Sequence, residues 1–358
     1  MALLSKSEVL ANKQNNGVAI LTLNRPDTLN SLNLNMIRLI NEYLTAWESD
    51  PDVKLVIMTS ASDRAFCAGG DMKSIYDTKN NQSGQKLALD FFDEEYKLDQ
   101  YIYSYPKPII ANLNGIIMGG GVGLTYGAKY RIITEKTRWA MPEVNLSFFP
   151  DVGGGYFLNK MPNYTGVYLG LTGEMINGMD VLYANAADYL IPSSQIDECM
   201  KDIIGESSYS TEFIEEQLKE KLEKYKSDYD GSELENKSTF INKHFQFNSV
   251  EEILSSLKSG DSVFAQETYE MLSKKSPVSL KVIFKQLADY KNKTIEESLV
   301  MDKILVTNFL KFDDFYEGVR SVLIDKDRNP QYDYSTLDDV SESFIKSFFK
   351  DKTTSVHR

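Results

Sequence analysis

Two acidic residues, Glu143 and Asp151, lie between two runs of three glycines, Gly119 to Gly121 and Gly153 to Gly155. Their neighbours along the chain include methionine, proline and phenylalanine, so both carboxyl groups are predicted to be sheltered from water. A carboxyl group in apolar surroundings has a raised pKa, which suits general acid–base catalysis near neutral pH. Either acid alone could equally be a helix cap or half of a salt bridge. Because both lie beside glycine runs, we predict a reaction site in this stretch.

Two glycine-bearing loops each follow a predicted buried strand. Their sequences are SDRAFCAGGD and NGIIMGGGVG. A helix that begins at Gly120 would direct unsatisfied backbone amides toward whatever lies in front of it, and one amide from each loop could stabilise an oxyanion. The alternative is that these glycines only allow a helix to pack closely on a sheet. Neither a GxGxxG nor a GxxxxGKS/T pattern is present, so dinucleotide and P-loop sites are poorly supported.

The stretch FFDEEYKLDQYIY carries two further acids, Glu94 and Glu95. At about 100° per residue, both fall near the edge of an apolar helix face. That face consists of Leu87, Phe91, Leu98 and Ile102. Periodicity does not separate the two acids, and a solvated position at the helix edge is the expectation for either.

Two lone side chains have simpler interpretations than catalysis. Cys67 lies in the first glycine loop with no histidine near it in sequence, so we expect a small buried thiol rather than a nucleophile. Arg25, in the segment NRPDTLN, could contact a phosphate, but we expect a surface arginine.

Composition excludes several classes of function. The net charge of −13 argues against nucleic acid or an anionic membrane as the main partner. Two cysteines and two histidines, His244 and His357, leave no multi-cysteine or histidine-ligated metal site, so no metal is expected. No apolar run approaches membrane-spanning length, and the leading residues resemble neither a signal nor a transit peptide. We therefore expect a soluble cytoplasmic protein whose chemistry depends on carboxylates and backbone dipoles.

Patterning predicts an α/β fold followed by helices. Strands are expected at 17–23, 53–60, 108–114 and 130–134, alternating with helices up to about Glu48, at 85–104 and after the triple glycine. Asn33 or Ser31 is the expected cap of the first helix. After about residue 195 the apolar residues keep a helical period. With 358 residues, we expect two domains or one domain with a large extension.

Four segments together resemble the crotonase (enoyl-CoA hydratase/isomerase) superfamily. They are NRPDTLNSLN, AFCAGGDM, NGIIMGGGVGL and MPEVNLSFFPDVGGGYFL, in the order and spacing of that family. The resemblance implies a spiral of ββα units that forms an acyl-CoA-binding catalytic core at 1–200. It also implies a helical C-terminal region at 201–358 that covers the site. The family binds acyl-CoA thioesters and polarises the thioester carbonyl between two amides, which fall by motif at Gly70 and Gly120, with Ala68 and Asp71 beside them as substrate contacts.

The resemblance is greatest to a subfamily that hydrolyses a short hydroxyacyl-CoA thioester. FFDEEY, SPVSLKV and FYEGVRSVLIDKDRNP carry that likeness. Hydratases of the superfamily use two glutamates, of which one matches Glu143, whereas the other position is Gly123. The hydrolase subfamily implies Glu95, Gly120, Glu143 and Asp151 as the substrate-contacting set, and so selects Glu95 where periodicity could not.

The resemblance also sets expectations about partners. It implies an acyl-CoA as small-molecule substrate, no separate cofactor, and a homo-oligomer that is a trimer or a hexamer. Two other functions stay open: another short-chain acyl-CoA hydratase, isomerase or hydrolase, and a non-catalytic structural subunit of a larger assembly.

Overall fold

The computed structural model describes residues 7–79 and 81–351. The expectations about the leading residues and about His357 fall partly or wholly outside that range. The chain folds into two compact units, each built from segments that are discontinuous in sequence. Unit 1 comprises 1–70, 97–139 and 176–235, and unit 2 comprises 71–96, 140–175 and 236–358. The boundary at residue 200 between a catalytic core and a helical C-terminal region, which the family resemblance implies, stays a prediction.

The described residues form two sheets, whose strands belong to unit 1 except for Ala140 at the end of β8. The strands are β1 Val9–Lys13, β2 Val18–Leu23, β3 Leu55–Ser60, β4 Ala65–Cys67, β5 Ile109–Asn112, β6 Ile116–Met118, β7 Tyr130–Ile133, β8 Arg138–Ala140, β9 Ile176–Asn177 and β10 Tyr189–Leu190. One sheet has the order β1-β2-β3-β5-β7-β10 and the other β4-β6-β8-β9. Consecutive strands therefore alternate between sheets, β3 then β4, β5 then β6, β7 then β8. That alternation is the repeated unit of a ββα arrangement.

Both units contain helices. They are α1 Leu34–Ser49, α2 Met72–Tyr76, α3 Gln82–Tyr103, α4 Gly120–Tyr126, α5 Gly154–Leu158, α6 Thr165–Thr172, α7 Met179–Tyr183, α8 Ile196–Ile204, α9 Ile214–Tyr225, α10 Glu233–Phe245, α11 Val250–Lys258, α12 Val263–Leu272, α13 Pro277–Tyr290, α14 Ile295–Phe309, α15 Asp313–Val319 and α16 Glu342–Phe348. No helix within 7–79 and 81–351 combines the length and apolar composition needed to cross a bilayer.

The core of unit 1 lies between the larger sheet and two helices. Residues of β2, β3, β5 and β7, such as Leu55 and Ile132, pack with Ile203 of α8 and Leu218 of α9, all at most 1% exposed. Burial of these side chains contributes about 1.5–3 kcal/mol each. This packing fixes the strand ends from which the glycine loops emerge.

Unit 2 has an aromatic core. Phe148 packs against Phe92, Phe149, Phe309 and Phe315, with ring centroids between 4.5 and 6.0 Å apart. Such pairs contribute about 0.5–1.5 kcal/mol each beyond the area they bury. Because Phe148 and Phe149 immediately precede Pro150 and Asp151, this core anchors one end of the predicted site.

The predicted strands and helices of the first 134 residues are present, with ends displaced by a few residues. Asn33 is the cap of α1, because its Oδ1 accepts from the Met36 amide at 2.8 Å. The prediction missed β1 and the short strands of the second sheet. Three-residue strands such as β4 and β6 carry too few positions for an alternating pattern to be recognised.

Candidate active site

Three of the predicted acids are buried in unit 2. The exposed fraction is 7% for Glu143, 5% for Asp151 and 2% for Glu95. Neither Glu143 nor Asp151 forms one of the ion pairs found among the described residues. Burying a carboxyl without a counter-charge is unfavourable unless the group is neutral or hydrogen-bonded. The burial of this pair is therefore a feature that stability alone does not explain.

Glu143 begins a short 3₁₀ helix, Glu143–Leu146. Two contacts of unit 2 hold this helix: the Lys275 ammonium donates to Asn145 Oδ1, and Gly318 packs so closely that an added Cβ would lie 2.4 Å from Leu146 O. Glu143 Oε2 is buried and accepts no hydrogen bond from the described residues. Unsatisfied buried polar atoms are rare in native proteins, so this oxygen is available to a substrate or a reacting water.

Asp151 lies in a tight turn that leads into α5. Val152 and Gly153 both have positive φ, 52° and 81°. Glycine tolerates this conformation, whereas a β-branched valine is strained in it. The Tyr96 hydroxyl of α3 donates to Asp151 Oδ2 at 2.7 Å. The turn thus directs the Asp151 carboxyl at a buried hydroxyl.

The two carboxyl groups influence each other. Burial, followed by the negative charge of Asp151, holds the pKa of Glu143 well above its usual value. Burial also raises the pKa of Asp151 to about 7, against the opposing effect of the Tyr96 hydrogen bond. Two interacting acids of this kind titrate as a pair. Near neutral pH the pair therefore retains at least one proton, and it can both accept and donate protons.

Glu95 and Glu94 have different environments. Glu95 is 2% exposed beside Tyr96, whereas Glu94 is only half-buried. The expectation of a solvated acid at this helix edge is therefore wrong for Glu95. The predicted apolar face is also wrong at Leu87, which is 56% exposed, while Phe91, Leu98 and Ile102 are buried. In the first turns of α3 the buried positions are instead Gly84 and Ala88.

The glycine loops meet within unit 1. A Cβ added at Gly69 would lie 3.3 Å from Met118 O and 3.8 Å from the Gly120 nitrogen, so the loop before Gly70 touches the start of α4. The Ala68 amide donates to Leu29 O at 3.0 Å, which anchors this loop. Gly70 and Gly120 are thus on adjoining backbone segments, as two oxyanion donors require.

Asp71 belongs to unit 2. It precedes α2, is half-buried, and its carbonyl accepts from the Ile75 amide at 3.3 Å. Its predicted role in substrate binding stays a prediction.

The remaining candidates have structural roles. Cys67 is a buried free thiol, as predicted. The Arg25 side chain is only 18% exposed, and it pairs with Glu8 Oε1 at 3.1 Å and donates to Ser31 O at 2.6 Å, so the expected surface arginine is instead a loop anchor. His244 is 1% exposed and hydrogen-bonds Ser256 Oγ at 2.8 Å.

Sequence patterns missed three residues that surround Asp151: Tyr96, Gln286 and Asp302. Tyr96 directly follows Glu95 and carried no pattern of its own. Asp302 did carry a signal, because Leu299, Leu305 and Val306 lie three or four residues away and are all apolar. An acid on the apolar face of a helix is a candidate for a functional position.

Comparison with known proteins gives consistent results. The family model described as enoyl-CoA hydratase/isomerase matches residues 18–349. Relatives named 3-hydroxyisobutyryl-CoA hydrolase, mitochondrial, include those of Gallus gallus and Homo sapiens. Both are 41% identical, covering 97% and 96% of this chain and 89% and 88% of theirs.

Solved structures agree in fold. A carnitinyl-CoA dehydratase from Mycobacterium thermoresistibile is 32% identical with a TM-score of 0.89, covering 97% of both chains. An enoyl-CoA hydratase from Rhodobacter sphaeroides 2.4.1 is 29% identical with a TM-score of 0.88, covering 97% of this chain and 98% of that one. The predicted fold class, ββα units followed by C-terminal helices, is confirmed.

Proposed function

This chain belongs to the enoyl-CoA hydratase/isomerase (crotonase) family, and from that premise we propose that it hydrolyses the thioester of 3-hydroxyisobutyryl-CoA to 3-hydroxyisobutyrate and free CoA. The observation that carries the proposal is the buried pair of Glu143 and Asp151, with Glu143 Oε2 unsatisfied among the described residues. The names of relatives 41% identical over nearly the whole chain support this substrate. They also favour an enzyme over a non-catalytic structural subunit.

The pair can supply the proton transfers that hydrolysis needs. In its singly ionised form, the carboxylate takes a proton from water as the water oxygen adds to the thioester carbonyl carbon. The tetrahedral intermediate collapses, the C–S bond breaks, and the CoA thiolate takes the proton back. The products are a carboxylic acid and a thiol, so atoms and charge balance. General acid–base assistance of this kind typically contributes 10²–10⁴-fold in rate.

In this scheme Glu143 is the reacting group, and Asp151 shares its proton and orients it. Glu95, buried beside Tyr96, is proposed to hold the substrate hydroxyl or the attacking water. The Gly70 and Gly120 amides are proposed as donors to the thioester oxygen, where one missing donor typically costs about 2.7–4 kcal/mol.

Replacing Glu143 with Gln tests the central assignment. We expect kcat to fall by about 10²–10⁴-fold, because the amide cannot take a proton, with the KM for 3-hydroxyisobutyryl-CoA nearly unchanged. The control is Glu174→Gln, an acid of the same unit that pairs with Lys237 at 3.1 Å. Near wild-type thiol release by the Glu143 variant would disprove the assignment.

Glu95→Gln, matched with Glu94→Gln at the preceding position of α3, tests the role of Glu95. We expect the Glu95 variant to lose discrimination between 3-hydroxyisobutyryl-CoA and isobutyryl-CoA, which lacks the hydroxyl. The Glu94 variant should keep it. Equal discrimination in both variants would remove Glu95 from substrate recognition.

Glu143 could alternatively attack the carbonyl itself and form a mixed anhydride. A single turnover in H₂¹⁸O detects an anhydride that water attacks at the Glu143 carbonyl. Direct attack by water places ¹⁸O in the product acid. Hydrolysis of an anhydride at the Glu143 carbonyl leaves ¹⁸O in the protein.

Hydration of an enoyl-CoA is the nearest rival, because two structures of similar fold are named as a dehydratase and a hydratase. Position 123 of α4, where superfamily hydratases are expected to carry the second glutamate, is a buried glycine. Hydratase chemistry would therefore lack one of its two acids. Crotonyl-CoA consumption without thiol release would favour this rival.

Compartment and assembly are separate expectations. The relatives are named as mitochondrial, so they do not support the expected cytoplasmic location.

A trimer or hexamer stays a prediction, and light scattering of the purified protein tests it.

A further inference from the structure

Asp302 lies in the middle of α14 and is completely buried. No lysine or arginine forms an ion pair with it in the described part of the chain. A charge-bearing side chain at such a position is unfavourable unless hydrogen bonds compensate. Its presence on an apolar helix face therefore requires an explanation other than packing.

The hydrogen bonds of Asp302 converge on the turn that carries Asp151. Asp302 Oδ2 accepts from the Gly153 amide at 2.9 Å, and Oδ1 accepts from Gln286 Nε2 at 3.1 Å. Gln286, also completely buried, donates from the same nitrogen to Pro150 O at 2.8 Å. The two side chains thus hold the backbone on both sides of Asp151.

This turn needs such support because its backbone is strained. Val152 and Gly153 are consecutive residues in the left-handed region, with φ of 52° and 81°. Left-handed conformations of this kind persist only where the surroundings enforce them. The Gly153 amide, held by Asp302, directly follows the strained Val152.

We propose that Asp302, assisted by Gln286, is a positioning residue that holds the Pro150–Gly153 turn so that the Asp151 carboxyl faces its reacting partner. The proposal rests on the proposed function of the Glu143–Asp151 pair. It adds a role for a further buried acid, which acts through the backbone beside Asp151 and not by contact with substrate.

The groups around Asp302 determine its own protonation. Asp151 from the turn, Tyr96 from α3 and Tyr290 from α13 face it, and burial together with the Asp151 charge raises the pKa of Asp302. The Asp151 charge is itself a cause of this rise, so Asp151 ionises before Asp302, and no charge on Asp302 acts on the titration of Asp151. Asp302 therefore acts on Asp151 through its hydrogen bonds to the turn.

Asp302→Asn and Asp302→Leu form the test. The asparagine side chain keeps an oxygen for the Gly153 amide, whereas leucine keeps none. We expect kcat to fall about 10²-fold in the leucine variant with KM within about threefold, because small displacements of a catalytic group cost that much. The asparagine variant should recover most of kcat.

Asp314→Asn is the matched control. Asp314 is 1% exposed and also accepts a backbone amide, that of Asp333, at 2.9 Å, but it is not bonded to the Asp151 turn. It should alter thermal stability without changing kcat. If the leucine variant of Asp302 does not fold, Gln286→Met removes the bond to Pro150 and takes its place. Wild-type kcat in either variant, or equal losses with asparagine and leucine, would overturn the proposal.

A second readout separates this proposal from the proposed function. The Asp151 carboxyl carbon can be titrated by ¹³C NMR, with Asp151→Asn for assignment, in the wild-type protein and in Asp302→Leu. A higher pKa of Asp151 in the variant is expected, because a displaced carboxyl loses the Tyr96 hydrogen bond that lowers its pKa, and it supports the positioning role even if the wild-type protein hydrolyses a different acyl-CoA. An unchanged titration contradicts it even if 3-hydroxyisobutyryl-CoA is the substrate.

Discussion

The Asp151 carboxyl should make the protein less stable as the pH rises from about 4 to 7. Burial raises its pKa from 3.8 to about 7, so the folded protein keeps a proton that the unfolded chain releases in this range. Stability falls with pH wherever the folded state binds more protons. Asp151→Asn removes the titration and keeps an oxygen for the Tyr96 hydroxyl, which now bonds Asp151 at 2.7 Å.

The magnitude follows from the size of the pKa change. The difference between 3.8 and about 7, at ~1.36 kcal/mol per pH unit, is about 4 kcal/mol as an upper value. An unfolding entropy of about 2.1 cal/mol/K per residue over 358 residues converts this to about 5 °C in Tm. Relative to the wild-type protein, the variant should therefore gain up to about 5 °C between pH 4 and pH 8.

The assay is the midpoint of thermal unfolding of both proteins across pH 4–8. Asp202→Asn is the control, since Lys221 and Lys224 lower the pKa of Asp202 to about 2. Above pH 5, Asp202 is ionised in both the folded and the unfolded state, so its substitution should give a nearly constant difference there. Parallel Tm curves for wild type and Asp151→Asn would refute a raised pKa for Asp151.

Three other substitutions give distinct results. Tyr96→Phe removes the hydrogen bond that lowers the pKa of Asp151, so the kcat–pH profile should move to higher pH. A profile unchanged within roughly 0.2 of a pH unit, the precision of such a fit, would contradict this. Gly121→Ala should destabilise by about 1–3 kcal/mol in a urea titration, because its Cβ would lie 2.6 Å from Cys67 O. Thr294→Ala removes the capping box of α14 and should cost about 1 kcal/mol in the same titration.

The sequence indicated the two buried acids of the candidate site because local chemistry carries local signals. Glu143 and Asp151 were identifiable from acids in apolar sequence between glycine runs, and Asn33, with Ser31 as the alternative, from its place before a helical pattern. The alternation of strands and helices, together with four motifs, indicated the family and its fold. These features depend on neighbours within a few residues, which is the range over which sequence patterns hold.

Tertiary structure decided what depends on distant partners. Glu95 and Glu94 have the same periodicity, yet only Glu95 is buried, because burial is set by what packs on α3. Asp302 lies 149 residues from the Gly153 amide that it accepts from, so no local pattern could pair them. The raised pKa of Asp151 also requires the low dielectric of a packed core. The sequence determined which acidic side chains are available. Packing determined the pKa values of these acids and which backbone amides they accept hydrogen bonds from.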